Sequence, residues 1–295
     1  MAKKSETKSP LAEVFGFPIE IESQKAQRYR KQKLCPFNNK VPNCTKDKAN
    51  NPLGVCSVWH NGTSVITCPT RFREDWVIIE NASAFAFGSK ANWTSLSEIK
   101  LVDKNGQSAG NIDFILVQYN EAGQLIDFAS LEVQGVYISG NLRNPFEEYI
   151  KKQSKDFEWP RGYNYPKPDY LSSSRKRLIP QMLYKGGIFQ SWKRKQTVAL
   201  QKSFFDTLPN LPTTTKSKAD VAWFLYDLKF NKEQNQNNLV LVDTIYTEFE
   251  PALLRVTTPE PGDVSGFINI LQTRLDEHLD NNPPDAPSLT DIISS

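Results

Sequence analysis

Three polar residues lie inside two apolar stretches that are joined by a short turn. Asp113 stands in the first stretch, Glu132 and Gln134 stand in the second, and Gly123 lies in the turn, which is typical of a β-hairpin. Residues two apart on a strand point to the same face, so Glu132 and Gln134 project together and the hairpin can bring Asp113 beside them. Buried carboxylates need their charge compensated, and Mg²⁺ binds carboxylate oxygens together with water and phosphate oxygens. The pattern therefore predicts a magnesium site.

The same pattern has a second interpretation, an edge hairpin whose acidic residues face solvent. Residues 114–117 are apolar on both faces of the strand, as in a central strand, and this favours the metal site. Glu98 lies fifteen residues before Asp113, in a segment (91–102) that we expect to be a helix, from which it can reach the same metal. Taken alone, Glu98 is better explained as an ordinary exposed helical residue. Asp113 followed by Glu132-Val133-Gln134 resembles the motif of the PD-(D/E)xK nucleases, with glutamine in place of lysine.

All the cysteines of the chain lie in one loop-like segment rich in Asn, Pro and Gly, at Cys35, Cys44, Cys56 and Cys68. We expect a cytoplasmic protein, in which disulfides are disfavoured, so four thiolates this close in sequence predict a tetrahedral zinc or iron site. Such a metal would stabilise a segment that has few apolar residues. Four unrelated buried thiols are the alternative, because the Cys-x2-Cys spacing of metal knuckles is absent.

The positive charge of the chain is concentrated in one block. Residues 151–204 carry 13 Lys and Arg against 3 Asp and Glu, whereas residues 51–150 carry 6 against 11. Repulsion among so many like charges indicates a polyanionic partner, and double-stranded DNA is such a partner. Basic residues (Lys185 among them) alternate with aromatic residues in segment 172–203, and the predicted DNA contacts are Arg175, Arg177, Lys193, Arg194 and Lys195. A pair of solvated helices is the alternative.

Several classes of protein are disfavoured by what the sequence lacks. The only histidines, His60 and His278, argue against a Ser-His-Asp triad, an HNH nuclease and a histidine-rich zinc hydrolase. The Gly-rich motifs of P-loop NTPases and dinucleotide-binding enzymes are absent. No apolar run is long enough to span a bilayer, so we expect no membrane partner.

These residues need a framework of strands and helices to position them. We predict an α/β (α+β) fold with an N-terminal metal-bound loop module. The resemblance to the PD-(D/E)xK nucleases implies a restriction-endonuclease-like core with a central mixed sheet flanked by helices. Helices are expected at 22–33, 144–153, 175–185, 190–206, 218–229 and 263–280, and a strand at 239–247. The expected layout is a disordered tail (1–10), a basic helix with the four-cysteine module (11–70), a nuclease core (71–280) and a flexible acidic tail (281–295).

The cysteines, Glu98, Asp113 and Glu132-Val133-Gln134 together resemble the NotI-type type II restriction endonucleases, from about residue 11 to at least 250. The resemblance implies a structural iron site at the four cysteines and a catalytic group formed by Glu98, Asp113, Glu132 and Gln134. It also implies a homodimer that hydrolyses double-stranded DNA with Mg²⁺ at a GC-rich palindrome containing GGCC. A cognate DNA methyltransferase would protect the same site.

In the expected mechanism, Asp113 and Glu132 hold Mg²⁺ against the scissile phosphate, and Glu98 holds a second ion or positions water. Gln134 orients the attacking water, because a neutral amide cannot accept a proton near pH 7. Two other functions stay open: a repair or structure-specific nuclease on the same core, and a non-catalytic DNA-binding protein with a metal knuckle. Cleavage of one short palindrome to discrete fragments would exclude the first, and Mg²⁺-dependent cleavage would exclude the second.

Overall fold

The computed structural model describes residues 9–281 except residues 39, 49 and 163. The predicted tails at 1–10 and 281–295 therefore lie outside the described residues, apart from residues 9, 10 and 281. The chain divides into two compact units, Met1–Thr257 and Thr258–Ser295. Among the described helices, none has the length and apolar character needed to cross a membrane.

The secondary structure is mixed, as predicted. The described strands are β1 (Leu11–Val14), β2 (Phe17–Pro18), β3 (Asp47–Lys48), β4 (Asn51–Pro52), β5 (Val55–His60), β6 (Thr63–Ile66), β7 (Trp93–Val102), β8 (Ser108–Tyr119), β9 (Leu125–Gln134), β10 (Ile138–Ser139), β11 (Lys167–Pro168), β12 (Gln196–Gln201), β13 (Val221–Asn231) and β14 (Gln236–Thr247). The described α-helices are α1 (Gln24–Gln32), α2 (Val77–Ala86), α3 (Arg143–Lys152), α4 (Tyr170–Ser173), α5 (Ile179–Gln181), α6 (Gly187–Ser191), α7 (Lys202–Phe205), α8 (Phe249–Thr257) and α9 (Val264–Asn281).

The main sheet has six strands in the order β14-β13-β12-β9-β8-β7. Strand β12 runs parallel to both of its neighbours, and the other adjacent pairs are antiparallel, so the sheet is mixed. All six residues of β12 are buried, because apolar side chains cover both faces of the sheet. One face packs with α2 through residues such as Ile78, and the opposite face packs with α3 and α8 through residues such as Phe146 and Phe249. The predicted central mixed sheet flanked by helices is confirmed.

One continuous helical run, from Tyr170 to Ser191, contains two π-helical turns. These turns are Ser174–Leu178 and Met182–Gly186, and they separate α4, α5 and α6. A π turn inserts a residue into the helix, shifts the side chains that follow around the axis, and often occurs at functional sites. In this run, Leu178 and Met182 are buried in the core, and Lys185 is buried beside them.

The N-terminal part forms a smaller sheet in the order β2-β1-β5-β6. A buried ion pair joins it to the 3₁₀ helix Pro69–Trp76, with Arg71 Nε 3.2 Å from Glu13 Oε2. Ser57 Oγ also donates to Glu13 Oε2, at 2.9 Å. A buried ion pair is tolerated only when its remaining polar atoms are also bonded, so this network fixes the 3₁₀ helix against the sheet. The 3₁₀ helix leads directly into α2.

Three segments predicted as helices are strands, and those predictions were wrong. Segment 91–102 is β7, segment 218–229 is largely β13, and segment 190–206 contains β12 between α6 and α7. A run that is buried on both faces, such as β13, has no alternation to distinguish it from a buried helix. The segment predicted as a cysteine-containing loop also contains β3–β6. The other predicted helices, the hairpin and the strand at 239–247 are confirmed, with shifts of a few residues at their ends.

Candidate active site

Asp113 and Glu132 meet where the ladder between β8 and β9 ends. The last pair in the register is Phe114 with Leu131, and the next residues outward are Asp113 and Glu132. The Val133 N–H donates to Asp113 Oδ2 at 2.8 Å, which ties this side chain to the neighbouring strand. The two carboxyl groups are close enough for each to influence the pKa of the other. The hairpin thus places both carboxyl groups at one point of the sheet.

Burial raises the pKa of both carboxyl groups. For Glu132, burial is the largest cause and the charge of Asp113 adds to it, while Lys185 acts in the opposite direction, and the pKa is raised to about 8. Burial also raises the pKa of Asp113, against the hydrogen bond from Val133 and the charge of Lys185. A cation between two such groups stabilises the charged form of each, so the raised pKa values mark a pair whose ionised form would gain from a bound cation.

Glu132 also presents an oxygen that lacks a partner. Its Oε2 accepts a hydrogen bond, but Oε1 is buried and has no hydrogen-bond partner within the described part of the chain. A cavity of about 20 Å³ beside Glu132 is lined by Lys185, Ser130 and mostly apolar side chains such as Met182, and Asp113 is not among its lining residues, so it is not the space between the two carboxyl groups. Two adjacent carboxyl groups, one of them with an unpaired oxygen, are oxygen donors of the kind that Mg²⁺ binds. The donor set present therefore fits Mg²⁺.

Protein side chains alone do not complete a metal shell here. Over residues 9–281, with the gaps noted above, no three His, Cys, Asp or Glu side chains converge as a set of metal ligands. Mg²⁺ commonly takes one or two carboxylates and completes its shell with water and substrate phosphate. The Asp113–Glu132 pair is sufficient for that mode of binding.

Lys185 is a member of this site that sequence reasoning missed. Its Nζ lies 2.7 Å from Glu132 Oε2 and donates to the Asn111 carbonyl at 2.8 Å. The sequence indicated Lys185 only as one of the basic residues of segment 172–203, because no spacing rule relates a helical lysine to a strand 53 residues away. The acidic hairpin and the basic segment could each be recognised in the sequence, but the contact between Lys185 and Glu132 could not be predicted from it.

Gln134 is close in sequence to Glu132 but bonded elsewhere. It is buried at the end of β9, and its Nε2 donates to the Gly135 carbonyl at 2.7 Å. This hydrogen bond fixes the amide locally.

Glu98 lies on β7 rather than on a helix, which corrects the predicted element. The pairs Ser97–Phe114 and Ile99–Ile112 place its backbone across from Asp113. Its side chain is exposed and faces Lys40 Nζ at 3.6 Å, so the carboxylate does not join Asp113. Glu98 also has φ +59°, an uncommon left-handed conformation for a residue inside a strand.

The four cysteines are free thiols that influence one another. Burial raises the pKa of Cys35 to about 11, and the charges of Cys68 and Cys44 add to this. Burial, followed by Cys68, likewise raises the pKa of Cys44 and of Cys56. The thiols are therefore close enough to interact electrostatically. Their arrangement among the described residues does not form a set of metal ligands, so the predicted zinc or iron site is not supported by geometry.

The side chains predicted to contact DNA differ in whether they are exposed or already bonded within the protein. Arg175 and Arg177 are exposed on the helical run, with the Arg177 guanidinium 5.1 Å from the Tyr137 ring centre. Lys193 is exposed just after α6. Arg194 is bonded to Asp127 at 2.6 Å, and Lys195 donates to the Ala219 carbonyl. The first three side chains can reach a ligand without breaking a strong contact.

A comparison with known protein families finds one match that covers most of the chain. The family model described as restriction endonuclease NotI matches residues 14–239, a span that includes the four cysteines, Glu98, Asp113, Glu132, Gln134 and Lys185. Among curated proteins, none matches the chain.

Proposed function

The chain belongs to the NotI restriction endonuclease family and is a site-specific deoxyribonuclease, and we propose that Asp113 and Glu132 form its active centre. The observation that carries this proposal is the buried pair of carboxyl groups with an unpaired Glu132 oxygen at the end of the β8–β9 ladder. Restriction endonucleases generally use Mg²⁺, and these two residues would hold it.

The chemistry expected of this centre is hydrolysis of a phosphodiester. When bound, Mg²⁺ lowers the pKa of its water and stabilises the charge that develops on phosphate oxygens. Asp113, fixed by the Val133 N–H, supplies one carboxylate in a set orientation, and Glu132 supplies the second. Gln134 can give a hydrogen bond to water but cannot remove its proton. Glu98 could take part only after leaving Lys40 and turning toward Asp113, whose backbone is its neighbour across β7 and β8.

The substrate we propose is a GC-rich palindrome in double-stranded DNA, cleaved in the manner of a type II enzyme by a homodimer. A palindrome presents two equal half-sites, which a two-fold dimer can contact with identical surfaces. Arg175, Arg177 and Lys193 would contact phosphates, since all three are exposed. A DNA methyltransferase that modifies the same sequence would protect the host genome.

The four cysteines would hold one structural iron or zinc ion. Support comes from the donor set itself, four thiols that interact within one segment and form no disulfide. A bound metal would require the thiols to move into a tetrahedral arrangement and to lose their protons.

The experiment that tests the proposed function is digestion of plasmid and phage DNA with Mg²⁺, followed by sequencing of the fragment ends. We expect discrete fragments whose ends map to one GC-rich palindrome, and no cleavage when Mg²⁺ is chelated. Ends at damaged or branched positions would instead identify a repair or structure-specific nuclease. Cleavage that persists in the chelated sample would contradict the magnesium centre.

A further inference from the structure

Lys185 places a buried ammonium group directly against the carboxylate pair. Its side chain is only 8% exposed, and its Nζ contacts Glu132 Oε2 at 2.7 Å and the Asn111 carbonyl at 2.8 Å. Charged groups are rarely buried unless they are paired and hydrogen-bonded, and Lys185 meets both conditions. It is therefore an internal part of the site and differs from the exposed cations of the same helical run.

The backbone around Lys185 is held from several sides. Lys185 lies in the π turn Met182–Gly186, and the Gln196 amide donates to the Gly186 carbonyl at 3.1 Å. Gly186 packs so closely against Phe249 that an added Cβ would come within 2.7 Å of that ring. Because this backbone is fixed, the lysine stem is directed at the carboxylates before any ligand binds.

The charges at the active centre indicate a role for the ammonium group of Lys185. Ionised Asp113 and Glu132 carry two negative charges, which one divalent cation would balance. A phosphodiester adds one further negative charge, and the ammonium of Lys185 would balance that one. The same ammonium contacts Glu132 Oε2 while Oε1 has no partner, so a divalent cation at Oε1 would share this carboxylate with Lys185 and repel the ammonium.

We propose that Lys185 is an exchangeable cation of the active centre: it holds Glu132 in the metal-free protein, releases Glu132 to the divalent cation, and then contacts the scissile phosphate. This inference rests on the proposed function, since it takes Asp113 and Glu132 as the cation ligands. It assigns to a helical lysine the positive charge that the neutral Gln134 cannot provide.

Direct cation binding tests the exchange without relying on catalysis. Mn²⁺ is titrated into the DNA-free protein by calorimetry for wild type, Lys185→Met and Glu132→Gln. Removing a positive charge next to a cation site should tighten Mn²⁺ binding by about tenfold or more at the alkaline end of a pH series, where Glu132 is ionised, whereas Glu132→Gln should lose it. The matched control is Lys151→Met, which removes an exposed lysine whose Nζ is 3.1 Å from Glu148, and it should bind Mn²⁺ as wild type does.

Cleavage tests the second half of the exchange. With saturating Mg²⁺, Lys185→Met should cleave DNA at least about a hundredfold more slowly despite its tighter cation binding, because the phosphate loses its positive partner. Lys185→Arg should recover part of the rate, since a guanidinium also contacts phosphate. If Lys185→Met does not fold, Lys185→Gln keeps a donor for the Asn111 carbonyl and must give the same two results.

The outcomes separate the two proposals. Unchanged or weaker Mn²⁺ binding by the Lys185 variants, or cleavage at the wild-type rate, would overturn the exchange while leaving the carboxylate centre intact. A wild-type protein that binds no Mn²⁺, together with a Glu132→Gln variant that still cleaves, would overturn the active centre itself and the exchange with it.

Discussion

At the scale of single residues, opposing electrostatic effects determine the pKa of Glu132. Burial and the charge of Asp113 both favour its neutral form, and the ammonium of Lys185 favours its charged form. A divalent cation would add to the effect of Lys185 and shift the balance to the carboxylate. The residue is thus suited to a site that changes its protonation when a cation arrives.

Replacing either carboxylate should abolish cleavage and spare DNA binding. Asp113→Asn and Glu132→Gln keep the shape of the side chains but remove the charge that holds the cation, so the cleavage rate should fall on the order of a thousandfold or more. DNA binding, measured with Ca²⁺ in place of Mg²⁺, should stay near that of wild type. Glu148→Gln is the control, because Glu148 lies in a surface ion pair with Lys151 and its replacement should leave cleavage unchanged. Near wild-type rates for both site variants would refute the assignment.

The pKa of Glu132 also predicts how stability depends on pH. Since its pKa is raised from 4.5 to about 8 in the folded protein, the folded state binds this proton more tightly than the unfolded state does. The resulting stability is complete below pH 4.5 and is lost as pH rises toward about 8, with a magnitude of roughly a few kcal/mol.

Urea unfolding of the metal-free protein at a series of pH values measures this loss. Glu132→Gln cannot titrate at this position, so its stability should fall less over the same pH window. Parallel curves for the variant and wild type would show that Glu132 titrates in the folded protein much as it does in the unfolded chain.

The site could be predicted in part, for reasons that differ from residue to residue. Asp113 and Glu132 were recognisable as neighbours because a hairpin turn fixes the register of the strands on either side of it. Lys185 was not, because its contact with Glu132 depends on how a helix packs across the sheet. Glu98 was placed in the right neighbourhood but on the wrong element, and its side chain is exposed like those of Thr94 and Leu96 at alternate positions along β7.

At the scale of elements, some strands of the main sheet can be predicted from the sequence and others cannot. The hairpin β8–β9 and the strand β14 have turn signals or β-branched residues that predict them. Strands β12 and β13 are buried on both faces, so their composition equally suits a buried helix. Tertiary packing between the two apolar layers decides between these structures, and a local pattern does not contain that information.

The cysteine segment makes a separate prediction at this scale. Purified protein should contain about one iron or zinc per chain, and each Cys→Ser variant should lose that metal and become less stable, because a structural metal contributes to folding free energy. Elemental analysis and thermal unfolding measure the two effects. Slow reaction of the thiols would not be sufficient evidence, since burial alone raises the pKa of Cys35 to about 11. The discriminating result is release of metal in step with thiol modification, and a purified protein with neither metal would refute the site.

At the scale of the whole molecule, one helical run connects the proposed DNA contacts with the proposed active centre. Arg175 and Arg177 lie on its exposed side, and Lys185 lies further along, buried against Glu132. The proposed phosphate contact near the start of the run and the proposed cation exchange near its end therefore involve the same helical run. The concentration of positive charge in residues 151–204 is explained if this run lies along a polyanion. Asp113 and Glu132 of the hairpin would then bind the cation.

The salt dependence of DNA binding distinguishes this arrangement from a merely basic surface. Each phosphate neutralised by a basic side chain releases condensed counterions, so replacing Arg175, Arg177 and Lys193 together with Gln should flatten the plot of log affinity against log salt. The slope should fall by about one unit for each phosphate that the variant no longer neutralises. Arg194 and Lys195 are bonded to Asp127 and to the Ala219 carbonyl, so their replacement should change the slope less.

The matched control replaces three exposed lysines of the same basic block with Gln, at Lys151, Lys152 and Lys155. It removes the same net charge but no proposed phosphate contact, and its slope should stay close to that of wild type. Equal slopes for both triple variants would mean that net charge alone attracts the DNA, which would move the contact surface away from the helical run. A slope lowered only by the Arg175, Arg177 and Lys193 variant would place the duplex along the run that carries Lys185 into the active centre.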